Sequence, residues 1–113
     1  MRDDRERLRD MLEAIHKIEQ YVHGESGPIV SQESELVEVW VVHHLQIIGE
    51  AASRISHALR EQYPEVAWGG MIGMRHVLVH GYFETDTEIV WKVVQNDLPV
   101  LKVQIQKILA ALQ

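Results

Sequence analysis

LVEVWVVHHLQIIGEAASRISHAL, residues 36–59, sets Leu36, Trp40, His44, Ile47, Ala51, Ile55 and Leu59 at steps of three and four, the spacing that lines one face of an α-helix. The stretch never alternates as a strand would. It therefore predicts one long amphipathic helix, capped at Ser31, carrying Glu33 and Glu35 in a first turn where the helix dipole favours acids, and reaching about Gln62. Within it Gly49, Ala51 and Ala52 make a low ridge against which a second helix can pack closely.

Upstream, Leu8, Met11, Leu12, Ile15, Ile18 and Val22 repeat the same period, predicting a first helix from about Asp3 to His23. The run Gly24-Glu25-Ser26-Gly27-Pro28 ends it, combining backbone freedom with a missing N–H. Downstream, Tyr63-Pro64-Glu65-Val66-Ala67-Trp68-Gly69-Gly70 breaks the pattern, because Pro64 disfavours helix at Tyr63 and the paired glycines relax the chain. A short helix is predicted from about Met71 to His80, with Gly81 as its stop. Thr85-Asp86-Thr87-Glu88 has the capping-box pattern, and Ile89, Val90, Val93, Val94, Leu98, Leu101, Ile105, Ile108 and Leu112 form a last apolar stripe. Pro99 interrupts it, predicting a kink or a restart with Asp97 as a new N-cap. The fold class is all-α, an up-and-down bundle of four to five helices forming one domain over residues 1–113.

Composition narrows the chemistry. The 113 residues, 46% hydrophobic and 25% charged, are those of an ordinary globular protein, not of a disordered tail or a collagen-like repeat. Without cysteine there is no disulfide, no thiol nucleophile and no Cys-ligated metal. No apolar run approaches the ~20 residues that span a bilayer, and Met1 leads directly into the charged run Arg2 to Arg7, so the expected location is the cytoplasm. The net charge of −6 argues against passive phosphate neutralisation over the whole surface. Its distribution is uneven: residues 1–40 carry ten acids and five bases, whereas residues 41–83 carry three of each and five of the seven histidines. An anion-handling site belongs in that middle stretch.

There, Arg75-His76-Val77-Leu78-Val79-His80-Gly81-Tyr82 gathers a fixed cation, two imidazoles and a phenol in eight residues. Arginine offers a planar fork for a phosphate, and histidine moves a proton near neutral pH. Together they suit metal-independent RNA cleavage, in which the ribose 2′-hydroxyl attacks the adjacent phosphate. Positions i and i+5 lie about 140° apart around an ideal helix, so Arg75 and His80 do not share a face. Either His80 turns back at the helix end, or two copies of the chain flank one cleft.

Gln46-Ile47-Ile48-Gly49-Glu50-Ala51-Ala52, Tyr63-Pro64-Glu65 with Trp68, Gly73-Met74-Arg75 with His80-Gly81-Tyr82, and Asp97-Leu98-Pro99-Val100-Leu101 together resemble the HepT branch of the HEPN superfamily, from about Leu36 to Leu112. The resemblance implies a dimeric, all-α, metal-independent ribonuclease, the toxin of a toxin–antitoxin pair whose antitoxin is a minimal nucleotidyltransferase of the MNT type. It maps the family's catalytic Arg and His onto Arg75 and His80. It likewise makes Tyr82 the acceptor of adenylyl groups that silence the nuclease, and it implies no cofactor. The residue after the motif arginine, commonly Asn in relatives, is His76 here.

Other readings of these residues are plainer. Arg75 could snorkel to a surface acid and His80 cap a helix end. His76 and His80 have a metal-ligand spacing, but no Glu follows the first and no third ligand is evident, so no metal is assigned. His76 and Glu50 are candidate helpers, Glu50 by orienting Arg75 through a paired hydrogen bond. His43, His44 and His57 receive no catalytic role. Trp40, Trp68 and Trp91 read as core or interface anchors. The rival to a nuclease is a non-catalytic helical module that binds a nucleotide or supports a nucleotidyltransferase.

Overall fold

A computed structural model describes residues 3–22, 35–80 and 87–112, with side chains for these except 21–22, 35–38, 75–80 and 87–89. Helices α1 (Asp4–Val22), α2 (Glu35–Ser53), α3 (His57–Gln62), α4 (Trp68–His80), α5 (Thr87–Lys92) and α6 (Leu98–Leu112) follow one another, and a π-helical turn, Val93–Asp97, joins the last two into one rod. The described residues thus form five rods and contain no strand. The expected loop at Gly24 to Pro28, the Ser31 cap, the Gly81 stop and the start of the Thr85 capping box lie outside the described residues.

α1 opens on Asp3, whose side chain accepts the Glu6 N–H (3.0 Å) while its carbonyl accepts the Arg7 N–H (3.2 Å), as an N-cap does. The helix then lays Leu8, Met11, Ile15 and Ile18 fully out of water against α2 and α6. Each such side chain contributes about 1.5–3 kcal/mol of hydrophobic stabilisation. α2 is the central helix, packed on α1 and α4, and it buries more than one stripe. His44, Ala51 and Ile55 are buried as their spacing predicts, but Val41, Leu45, Ile48 and Ala52 go deeper than Trp40 and Ile47, which stay partly exposed.

The predicted helix to Gln62 is broken after Ser53. Short bonds from the Arg54 N–H to Ala51 and from the Ile55 N–H to Ala52 tighten the last turn. The Arg60 guanidinium donates to the Ser53 carbonyl (2.8 Å) and adds a second bond to that of Ala52 (3.0 Å), which also accepts the Ile55 N–H. Ser56 turns extended (φ −61°, ψ 149°), and its hydroxyl accepts the Leu59 N–H, so it caps α3. Asp4, from the start of α1, accepts both the Ser56 N–H (2.8 Å) and its hydroxyl (2.6 Å). The break is therefore a cap satisfied by a residue 52 positions away, a pairing that helical periodicity cannot reveal.

Two further boundaries differ from expectation. α4 begins at Trp68, three residues before Met71: Ala67 accepts the Met71 N–H, and the buried Trp68 ring donates its indole N–H to Tyr63 (3.0 Å). Gly69 and Gly70 fall in the first turn, and a methyl group on Gly69 or Gly73 would meet no atom within 4 Å. At Pro99 the helix continues. The backbone is helical at Lys92 and at Leu98, whose N–H reaches back five residues to Val93, so Asp97 closes a widened turn and does not cap a new helix. That wider turn accommodates the proline, which has no N–H and whose ring would crowd the preceding turn of a regular α-helix.

Candidate functional site

The motif segment is built on α4. Trp68 anchors the N-terminal end, Met71 is buried, and the helix runs on through Arg75 and His76 to end at His80. Arg75 and His80 are thus backbone neighbours on one helix, at positions about 140° apart around its axis. Their side chains and that of His76 are not among those described, and Tyr82 lies outside the described residues altogether.

The other cations of the middle stretch are engaged elsewhere. Arg54 pairs with Glu50 one helical turn earlier (Nε to Oε1, 3.1 Å), and Arg60 is spent on the carbonyls at the end of α2. Arg75 is the remaining arginine of residues 41–83. Glu50, the candidate orienting carboxylate, is half-buried on α2, the helix against which α4 packs, and its described partner is Arg54.

Of the histidines set aside earlier, His44 is buried: its Nδ1 lies 2.8 Å from the Trp40 carbonyl, and its ring lies tilted by 43° against the Trp40 indole with centroids 4.4 Å apart. A ring nitrogen facing a carbonyl must carry the proton, so His44 is held as a core residue with a fixed tautomer. His57 is exposed and sits 2.9 Å from Glu61. Trp68 and Trp91 are buried, whereas Trp40 is half-buried with its indole N–H on the Lys17 carbonyl. Among the described residues no three His, Asp or Glu side chains are grouped to hold a metal ion, and no helix is long and apolar enough to cross a membrane.

A groove of about 500 Å³ lies where α2, α4 and α6 meet. Its floor is Ile48, Met71, Met74, Val93, Leu98 and Leu101, and Glu65, Asp97 and Gln104 stand at its edge. Met74 directly precedes Arg75, so the groove adjoins the motif helix. Periodicity had marked Val93, Leu98 and Leu101 of this floor as core and could not show that the packing leaves a side of it open.

Comparison with known proteins identifies the family. The sequence matches the family described as ribonuclease HepT-like over residues 11–108, from the first turns of α1 to near the end of α6, a longer reach than the motifs from Leu36 onward. A protein of Thermococcus cleftensis named for the ribonuclease HepT is 33% identical over 95% of this chain and 96% of its own. A Methanocaldococcus jannaschii protein bearing an RNase name is 37% identical over 65% of this chain and 67% of its own, and one from Caldanaerobacter subterraneus is 37% identical over 60% and 61%. No solved structure matches. With the matched region spanning α1 to α6 and enclosing the whole Arg75–Tyr82 motif, the chain belongs to the HepT-like ribonuclease family.

Proposed function

We propose that the protein is an endoribonuclease toxin that cuts RNA without a metal ion, with Arg75 binding the scissile phosphate and His80 transferring the proton. The observation that carries this reading is the family match over residues 11–108, which contains the motif and the helix that bears it. The ribose 2′-oxygen forms a bond to phosphorus as its proton is removed, the bond from phosphorus to the 5′-oxygen breaks, and the departing oxygen takes up a proton. The products are a cyclic phosphate and a free 5′-hydroxyl. Arg75 stabilises the charge gathering on the phosphoryl oxygens. DNA lacks the attacking hydroxyl and is spared. His76, beside Arg75, and Glu50, on the neighbouring helix, are auxiliary.

The site is composite in this reading. Two positions 140° apart on a regular helix reach one phosphate most simply when a second copy supplies the other residue, so the active form is a homodimer with two copies of the motif along one cleft. Dimerisation also reconciles an acidic chain with an RNA substrate, because it concentrates two copies of Arg75 and its histidines in one place.

Regulation falls to Tyr82. A nucleotidyltransferase partner of the MNT type joins the tyrosine oxygen to the α-phosphorus of ATP and releases pyrophosphate, leaving an anionic adenylyl group two residues from His80 that blocks and repels RNA. The test is cleavage of RNA by purified protein in excess chelator. Activity that persists there and is lost in Arg75→Ala and His80→Ala, with helicity retained, supports the assignment. Absence of cleavage in every preparation favours the alternative, a non-catalytic helical module serving a nucleotidyltransferase. Co-expression with such a partner should add one adenylyl mass at Tyr82 and none in Tyr82→Phe.

A further inference from the structure

We propose that the groove between α4 and α6 is a docking site for a helical segment of another protein, apolar on the face that enters and flanked by Lys or Arg. Its floor is apolar, and at about 500 Å³ it falls in the range of cavities that accept several side chains. Beyond the floor the apolar surface continues along α6 through Val100 and Val103, which are 58% and 49% exposed and one helical turn apart. A small ligand seated in the cavity would leave that strip bare, whereas a helix laid along α6 covers both.

The edge sets the partner's charge. Glu65 and Asp97 are exposed, and neither carboxylate makes an ion pair or hydrogen bond among the described residues. Gln104 directs its amide N–H at the Glu65 carbonyl (3.4 Å), leaving that carboxylate to the solvent. No described lysine or arginine lines the groove to balance the two acids. Opposite charge across an interface edge speeds encounter and selects partners, and these acids ask for cations. RNA is excluded by the same sign. A second copy is disfavoured as occupant, because a two-fold pairing of groove on groove sets one acidic edge against another. Docking here places the partner against Met74, one residue before Arg75.

The experiment uses the full chain without RNA, so it stands or falls independently of the nuclease assignment. Two short helical peptides with the same leucine face serve as probes, one flanked by lysines and one by glutamates. The lysine peptide should bind and shift the methyl resonances of Met71 and Met74, while the fully buried Met11 stays unmoved. Glu65→Gln with Asp97→Asn should weaken it about three- to tenfold, as expected for two exposed edge pairs. Val100→Lys should abolish it; all three positions are exposed, so the fold is kept. Equal binding of both peptides, no binding of either, or unmoved Met71 and Met74 signals would overturn the proposal. So would self-association of the chain alone that Val100→Lys abolishes, which would give the groove to a second copy.

Discussion

Replacing Ser56 by alanine tests the junction on which the second half of the bundle turns. The hydroxyl makes two bonds at once: it accepts the Leu59 N–H as the cap of α3 and donates to the Asp4 carboxylate at 2.6 Å. Loss of a serine cap costs about 1 kcal/mol. A hydrogen bond to a carboxylate contributes about 1.5–3 kcal/mol when shielded, and exposure of Ser56 reduces this to about 1 kcal/mol. The expected loss is therefore about 2 kcal/mol. At roughly 2.1 cal/mol/K per residue, a chain of 113 residues loses about 4 °C per kcal/mol, so the midpoint should fall by about 8 °C. Urea unfolding followed by tryptophan emission suits the measurement, since Trp68 sits just beyond α3. In a double-mutant cycle with Asp4→Ala the two losses should overlap by about 0.5–1 kcal/mol. A Ser56→Ala cost under about 0.5 kcal/mol, or strict additivity with Asp4→Ala, would refute the account of the break.

Four more outcomes follow, one from the proposed chemistry and three from the described structure. Arg75→Ala and His80→Ala should each lower the rate of RNA cleavage by about 10²–10⁴-fold, the span typical of a lost proton-transfer or charge-stabilising group, measured on folded protein with a fluorescent RNA. The Glu6 N–H, followed by the Arg5 guanidinium, holds the Asp3 carboxyl below its ordinary value. A depressed carboxyl stabilises the fold above the ordinary carboxylate range and ceases to do so as pH falls through its lowered value, so Asp3→Asn should flatten that part of the acid-unfolding curve. Ile105→Ala, at a site with no exposure, should cost about 2–5 kcal/mol in denaturant melts. Trp91→Phe should cost under about 1.5 kcal/mol, because the buried indole N–H it removes has no partner among the described residues.

How much could be read beforehand depended on the range of the interaction. The stripe Leu8, Met11, Ile15, Ile18 in α1 and the stripe from Leu98 to Ile108 in α6 were legible because each helix shows the core essentially one face. α2 was half-legible: a helix between two neighbours hides Val41, Leu45 and Ile48 as well as the predicted positions, so a single stripe understates it. The break after Ser53 was invisible, since Asp4 and Arg60 satisfy it from elsewhere in the chain. Local chemistry flagged Pro99 but left open how the backbone would absorb it, and a π turn did so in place of a new cap at Asp97. Of the candidate site, the helix that carries Arg75 to His80 could be read in advance. The groove beside them could not, because an opening is a property of packing that no local pattern encodes.

The glycines of α4 leave the motif helix with slack. Gly69 and Gly73 each cost a helix about 0.5–1 kcal/mol relative to alanine, and neither is demanded by a neighbouring atom. Stiffening both to alanine should raise thermal tolerance without disturbing a contact. The helix that carries Arg75 and His80 is thus built below the stability its packing would allow, and its firmest tether is the Trp68 indole on the Tyr63 carbonyl.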